Sequence, residues 1–112
     1  MTQDLSLREF LSVPYLVEAE AIEIGPGDWL RRAAHPELPD CWAEAPRIVD
    51  TLHQLERRRI EVIVELLRRG TAPPVPRPPL EDADPEGVLV RHGLRGELAP
   101  LLDLPGSEIA RR

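Results

Sequence analysis

Apolar and acidic residues alternate along residues 15–24, with glutamates at positions 18 and 20. A period of two is typical of a strand with one buried face. Residues 25–28 are dense in turn-forming types, so residues 29–34 are predicted to return as the second strand of an antiparallel hairpin. Pro36 and Pro39 predict an irregular corner, because proline lacks the backbone donor that a central strand needs. Cys41 to Glu44 then predicts a short third strand.

From Pro46 to Arg69 the period changes to that of an amphipathic helix. Apolar residues recur every three to five positions along one stripe, which consists of Ile48, Leu52, Leu55, Ile60, Ile63 and Leu67. Gly70 is the expected end of the helix, since glycine is the usual residue there. Further apolar residues at positions 49, 62, 64 and 66 widen the apolar surface of the helix beyond this stripe. The helix is therefore expected to have a second contact surface.

The segments that flank this core are less regular. Ser6 is a helix-capping type, and residues 6–11 predict one helical turn. Residues 71–85 contain six prolines, which predicts an extended arm rather than a helix. In the tail, Gly87 to Val90 fits a short strand, and residues 95–104 fit a helix interrupted by Pro100. Roughly 28 residues from Pro85 onward are too few for an independent core, so the tail is expected to dock on another surface or stay loose.

These patterns predict an α+β fold in which an antiparallel sheet of three to four strands packs against one long helix. A length of 112 residues suits one small domain with a tail. We predict an N-terminal lead-in at residues 1–13, a core domain at 14–80 and a C-terminal tail at 81–112, the tail being a candidate for docking on a partner. One helix covers one face of a sheet, so a homodimer or higher oligomer is expected to cover the other.

The charge of the chain points to a basic protein partner. The formal net charge is −6, and all 14 basic residues are arginine. This balance argues against non-specific nucleic-acid binding, which needs cations that neutralise phosphates. Opposite charge instead steers the encounter with a basic protein, of which an RNA-binding toxin is one kind.

The cellular location follows from what the sequence lacks. No apolar run approaches the roughly 18 residues of a membrane span, and the N-terminus lacks the basic-then-apolar order of a signal peptide. A single cysteine agrees with a reducing compartment. The chain is therefore expected in the cytoplasm, with no membrane partner.

Residues that could catalyse a reaction or bind a metal are present, but they lack the spacing that a catalytic or metal site requires. Arg57, Arg58 and Arg59 are consecutive, and consecutive helical residues point about 100° apart, so they form no shared phosphate pocket. Cys41, His35, Asp40 and His53 lack zinc-ligand spacing, and no glycine-rich turn accompanies Cys41 as an oxyanion site would require. We predict no catalytic residue, no metal ligand and no cofactor, and expect Cys41 to pack as a small hydrophobe.

The middle of the chain resembles the core of the HicB antitoxin family. That family follows two strands with a P-x-L-P-G-C-x-A-E-G element, a helix and a proline-containing exit strand. Over residues 10–80 this chain has the two strands, then the segment Pro36-Glu37-Leu38-Pro39-Asp40-Cys41-Trp42-Ala43-Glu44, the helix, and the segment Pro73-Pro74-Val75-Pro76-Arg77-Pro78-Pro79. Asp40 stands where the family has glycine, and Ala45-Pro46 replaces a Gly-Asp pair.

The resemblance implies a partial RNase H-like fold without nuclease carboxylates. It also implies a non-catalytic protein that covers the catalytic surface of a small mRNA-cleaving toxin. Antitoxins of this family usually carry a DNA-binding domain after the core, and only residues 81–112 remain here, so DNA binding is doubtful. A second hypothesis is a solitary HicB-like adaptor or accessory subunit that lays its proline-rich arm and tail along a larger enzyme or assembly.

Candidate partner contacts come from the corner, the arm and the tail. Trp29 and Trp42 flank the proline corner, and tryptophan is enriched at interface hot spots; the alternative is that both fill the core between sheet and helix. The arm and tail add further candidates. The full set is Trp29, Trp42, Val75, Arg77, Leu94, Leu98 and Leu101.

Overall fold

The computed structural model describes residues 4–112, and the predicted α+β class is confirmed. The described residues form two compact units. One comprises residues 15–62 and holds the sheet. The other comprises residues 4–14 together with 63–112 and is helical. The long helix begins in the first unit and ends in the second.

The sheet has three antiparallel strands in sequence order. Strand β1 is Glu18–Gly25, β2 is Asp28–Ala34 and β3 is Trp42–Ala45. β2 is central and pairs with both neighbours, so that Arg32 lies opposite Glu20 on one side and Glu44 on the other. Gly27 makes the predicted turn with φ +80°, a conformation that glycine adopts without steric cost.

Helix α2 spans Ile48–Arg68 and lies against β2 and β3. Thr51 is fully buried, and its Oγ1 lies 2.9 Å from the Arg31 carbonyl oxygen and 3.3 Å from that of Ala45. The β2 and β3 side chains on this side of the sheet include three buried alanines, at positions 33, 43 and 45. Because these side chains are small, the helix backbone approaches the strands closely enough for a threonine hydroxyl to reach their carbonyls.

The helical unit joins the N-terminal lead-in to the tail. Its elements are α1 at Leu7–Leu11, α3 at Pro85–Arg91, α4 at Arg95–Leu98, a 3₁₀ turn at Ala99–Leu101 and α5 at Gly106–Ile109. The Arg8 amide donates to the Leu102 carbonyl at 2.8 Å, and the Gly106 amide donates to that of Leu5 at 2.8 Å. The tail therefore docks on this chain's own lead-in. The buried side chains of the unit include Leu7, Phe10, Ile63, Leu67, Leu89, Leu98, Leu102 and Ile109.

The structure corrects one prediction of secondary structure and confirms several others. Residues 87–90 are not a strand but part of α3, because Pro85 occupies an early helical position and the Asp84 carboxylate caps the helix by accepting from the Gly87 amide at 3.1 Å. Ser6 caps α1 as predicted, in a reciprocal capping box with Glu9. No helix or strand is assigned to residues 71–84. Of the further apolar residues of α2, those at 62, 64 and 66 are buried as predicted, whereas Val49 is 66% exposed.

Two helical glycines test the packing of the tail. A Cβ at Gly106 would lie 2.9 Å from Leu67 Cδ2 and 3.1 Å from Phe10 Cε2, whereas a Cβ at Gly96 meets no atom within 4 Å. We expect Gly106→Ala to lower the free energy of unfolding by about 1 to 3 kcal/mol through overpacking. We expect Gly96→Ala to raise it by up to about 1 kcal/mol, because alanine favours the helix. Urea denaturation measures both; equal effects would contradict the docked tail.

Candidate functional site: the open face of the sheet

The sheet has one side covered by α2 and one uncovered side, which we call the open face. The alternation of side chains along each strand assigns residues to it. Away from the hairpin turn at residues 25–28, the open face consists of Glu18, Glu20, Ile22, Leu30, Arg32, Ala34, Trp42 and Glu44. None of these eight residues is buried.

An ionic cluster occupies the centre of the open face. The Arg32 guanidinium donates to Glu44 at 2.8 Å and approaches Glu20 at 3.9 Å, so one arginine on the central strand joins carboxylates of both outer strands. Exposed pairs of this kind stabilise a fold by only about 0 to 1 kcal/mol. With Glu18 included, three glutamates face one arginine, which leaves the open face with a formal charge of −2.

Trp42 is held in a fixed orientation at the edge of this cluster. The Arg32 guanidinium carbon lies 5.4 Å from the centroid of the indole ring, within the range of a cation–π contact. The indole Nε1 donates to the Asp40 carboxylate at 3.1 Å. The residue nevertheless stays 47% exposed. An ordered, half-exposed tryptophan loses little conformational entropy when it is buried by a partner.

Asp40 shapes the corner that presents Trp42. Its φ is +50°, in the left-handed region that glycine favours. The Arg58 guanidinium donates to the Asp40 carbonyl at 3.2 Å and lies 3.5 Å from its carboxylate. Helix α2 therefore fixes the corner through Arg58.

Strand β1 is uncovered on both sides. All of its residues are exposed except Ile22 and Gly25, which are half-buried. Even Ala19 and Ala21, which point to the side covered by α2, are exposed. The prediction of a half-buried strand is therefore wrong at β1, because the helix covers only its two neighbours.

The other predicted partner contacts lie in different places. Trp29 is 46% exposed and alternates with Arg31 and Ala33, which places it on the helix side of β2 near the hairpin turn. In the proline-rich arm, Val75 is 43% exposed, and Arg77 is half-buried and donates to the Pro14 carbonyl at 3.1 Å.

The three tail residues belong to the helical unit. Leu94 and Leu101 are half-buried, and Leu98 is 3% exposed. Leu98 is part of the unit's own core, which leaves little of its side chain for contact with a partner. Of the seven candidates, Trp42 alone lies on the open face.

A buried polar cluster lies at the end of the sheet away from the hairpin turn. The ring centroids of Tyr15 and His35 are 6.1 Å apart, His35 Nδ1 lies 2.9 Å from the Leu16 carbonyl oxygen, and the His35 amide donates to the Cys41 carbonyl at 2.9 Å. Burial lowers the pKa of His35, raises the pKa of Tyr15 to about 12 and raises the pKa of Cys41 to about 11. The Cys41 thiol is therefore protonated and packed, as the sequence predicts.

Residues 4–112 contain no group of metal-ligating side chains placed to hold an ion.

Two further features lie outside the open face. One guanidinium nitrogen of Arg31, Nη1, is buried and has no hydrogen-bond partner within residues 4–112. In the helical unit, a half-open cavity of about 350 Å³ is lined mainly by apolar groups, including Phe10, Leu67 and Ala110, with Asp4 and Ser107 at its rim. The Asp4 carboxylate is already bonded to the amide and hydroxyl of Ser107.

Comparison with family models, curated proteins and solved structures finds no match for the chain. The resemblance to the HicB family therefore stays a prediction. None of the helices between residues 4 and 112 combines the length and apolar character that a membrane crossing requires.

We expect Arg31→Met to leave the free energy of unfolding unchanged or to raise it by about 1 kcal/mol, because methionine fills similar space without a buried, unpaired donor. Arg32→Met is the matched control on the same strand. It removes the contacts with Glu20, Glu44 and Trp42, so a loss of about 1 kcal/mol is expected. Chemical denaturation compares the two. A large loss for Arg31→Met would show that its guanidinium has a stabilising partner.

The stability of the fold should decrease in mild acid because of His35. The folded-state pKa of His35 is lower than its unfolded value near 6.5, so the unfolded chain binds the proton first. The contribution of neutral His35 is complete above about pH 6.5 and is lost as the pH falls below that value. Denaturation between pH 7.5 and 5 should show a smaller loss for His35→Gln than for the unmodified chain. His53→Gln, which removes an exposed histidine, should keep the full loss; equal pH profiles for all three proteins would contradict this assignment.

Proposed function

We propose that this chain is a non-catalytic protein-binding module, and specifically an antitoxin-like inhibitor that covers the active surface of a small mRNA-cleaving toxin. The observation that carries the proposal is the open face, where an acidic cluster lies beside the ordered, half-exposed Trp42. Inhibition by such a module requires no chemistry from its own side chains. It requires only that the partner's RNA-binding surface be occupied.

The charge of the open face suits such a partner. A ribonuclease holds its substrate with a basic surface, because RNA carries one negative charge per nucleotide. The open face has a formal charge of −2 within a chain of −6. Complementary potentials of this kind accelerate association and disfavour like-charged partners.

The apolar residues of the open face supply the surface to be buried. Ile22 and Leu30 are direct cross-strand neighbours on this face and are half-buried. Trp42 lies on the strand beyond β2, with Arg32 stacked on its ring. The charged row of Glu20, Arg32 and Glu44 lies between these apolar residues and Trp42. An aromatic residue that a partner can desolvate, together with apolar and charged groups, is a usual composition of an interface.

The backbone at Asp40 supports the resemblance from which the toxin inference comes. Asp40 stands where the family pattern has glycine, and its positive φ is a conformation typical of glycine. The order of three strands and a helix is also that of the family core. We also propose a cytoplasmic location and a homodimer or higher oligomer whose contacts leave the open face to the partner, and we assign no DNA-binding role.

An adaptor function is the second candidate. It is favoured by the proline-rich arm, which has no helix or strand and exposes the apolar side chains of Val75 and Leu80 to 43% and 51%. Preformed proline-rich segments bind along the surfaces of larger proteins at low entropic cost. In this case the partner is a large enzyme or assembly rather than a small toxin.

The test begins with affinity purification of the tagged chain from its native host and identification of the retained proteins by mass spectrometry. We expect a small basic protein that cleaves mRNA when purified alone. Adding the chain in equimolar amount should abolish that cleavage. Trp42→Ala should weaken the inhibition by at least about tenfold, the usual size of a tryptophan hot spot.

Trp29→Ala is the matched variant, because Trp29 is as exposed as Trp42 but lies on the other side of the sheet. We expect it to inhibit as well as the unmodified chain. A loss with Trp29→Ala and not with Trp42→Ala would place the interface on the helix side and contradict the open-face proposal. Recovery of a large assembly, with no ribonuclease, would replace the toxin inhibitor with the adaptor.

A further inference from the structure

Within residues 4–112, no strand pairs with the outer edge of β1, which is eight residues long. In the order β1-β2-β3 of this described part, the neighbour of β1 is β2. Edge strands present a row of free backbone N–H and C=O groups, on which another strand can form a ladder. Residues 18–25 contain no proline that would block such a ladder. The strand is also uncovered on both sides, so an added strand meets no obstacle from α2.

We propose that β1 is a strand-addition site that takes an extended, basic segment of a partner protein as a fourth strand of the sheet. The backbone of the segment pairs with the outer edge of β1. Side chains on the two sides of β1 then determine which side chains the segment needs, as in other proteins that bind a strand at a sheet edge. The proposal depends on the proposed function only for the basic character of the partner.

The open side of β1 selects positive charge. Among residues 4–112, the side chain of Glu18 has no ion pair or hydrogen bond, and the Glu20 carboxylate lies 3.9 Å from Arg32 and is 64% exposed. Basic residues directly opposite these two positions gain cross-strand attraction. Ile22 follows on the same side and favours an apolar neighbour. The open side therefore selects the pattern basic, basic, apolar at every second residue of the segment.

The helix side of β1 favours large apolar side chains in the added strand. Ala19 and Ala21 are small and exposed, and so they leave room beside α2 for larger apolar side chains of the added strand. Glu23 ends this row and selects a further basic residue. An antiparallel segment that satisfies both sides reads Arg-Val-Leu-Arg-Val-Arg, with its final arginine opposite Glu18.

A second copy of the chain is a poorer occupant of this edge. Pairing β1 with itself brings six glutamates, from positions 18, 20 and 23 of both copies, onto two adjacent strands. Each copy also carries a net charge of −6. Like charges on neighbouring strands destabilise pairing, and charged residues on an edge strand are a common protection against self-association.

The experiment is an NMR titration of the isotope-labelled chain with the acetylated, amidated peptide Arg-Val-Leu-Arg-Val-Arg at low salt. We expect saturable shifts of the backbone amides of β1 and of its neighbour β2, with affinity that falls as salt is added. The charge-reversed peptide Glu-Val-Leu-Glu-Val-Glu should not bind. Absence of binding, or shifts that centre on another surface, would overturn the proposal.

Two variants separate charge recognition from a general electrostatic effect. Glu18→Arg should weaken binding of the basic peptide by about fivefold or more, because one attraction becomes a repulsion. Glu65→Arg makes the same change of charge on the exposed surface of α2, and it should leave the affinity within about twofold. Equal losses would show that the net charge of the chain, not β1, binds the peptide.

The result is independent of the toxin test. Trp42 lies on β3, at the opposite edge of the sheet, so Trp42→Ala should bind the peptide normally even where inhibition of a toxin is lost. Peptide binding without any toxin would retain the strand-addition site and discard the antitoxin function. A concentration-dependent dimer in sedimentation experiments that Glu18→Arg alters would assign the edge to a second copy and overturn the choice of a basic partner.

Discussion

Helix α2 packs directly on two strands of the sheet, where small side chains and one buried hydroxyl form the contact. Thr51 places its Oγ1 within hydrogen-bond distance of carbonyl oxygens on β2 and at the end of β3, and the alanines of these strands let the helix come close enough. The helix is thereby confined to two of three strands. Everything distinctive about the sheet follows from this confinement, since β1 keeps both sides and its outer edge exposed.

The exposed surfaces of the sheet are both acidic. Glutamates of β1 and β3 surround a single arginine on β2, and the edge of β1 carries three glutamates. Such a distribution contributes little to stability, because exposed ion pairs are weak. It does favour a basic partner and disfavours self-pairing at the edge. The open face supplies a rigid aromatic contact, and the edge supplies backbone groups; the two surfaces are continuous through Glu18, Glu20 and Ile22, which belong to both.

The elements with strong local patterns were predictable from the sequence, and those decided by tertiary contacts were not. The hairpin, helix α2 and the Ser6 cap follow from period and capping residues over short stretches. The segment from Gly87 to Val90 is too short for its periodicity to distinguish a strand from a helix. The Asp84 cap and Pro85 at an early helical position favour the helix. The exposure of β1 and the pairing of Arg32 with two glutamates depend on where α2 lies and on strand register, neither of which a local pattern contains. Trp42 was a candidate from the sequence, but its stacking on Arg32 was not.

Among the residues that the structure describes, β1 is a free edge of the sheet in the isolated chain. Amide hydrogen exchange, measured by NMR at several protein concentrations, tests it most directly. We expect the outward-facing amides of β1 to exchange much faster than those of the central strand β2, at rates that do not depend on protein concentration. Slow exchange along the whole of β1, or protection that increases with concentration, would show that the edge is already covered and would contradict the account.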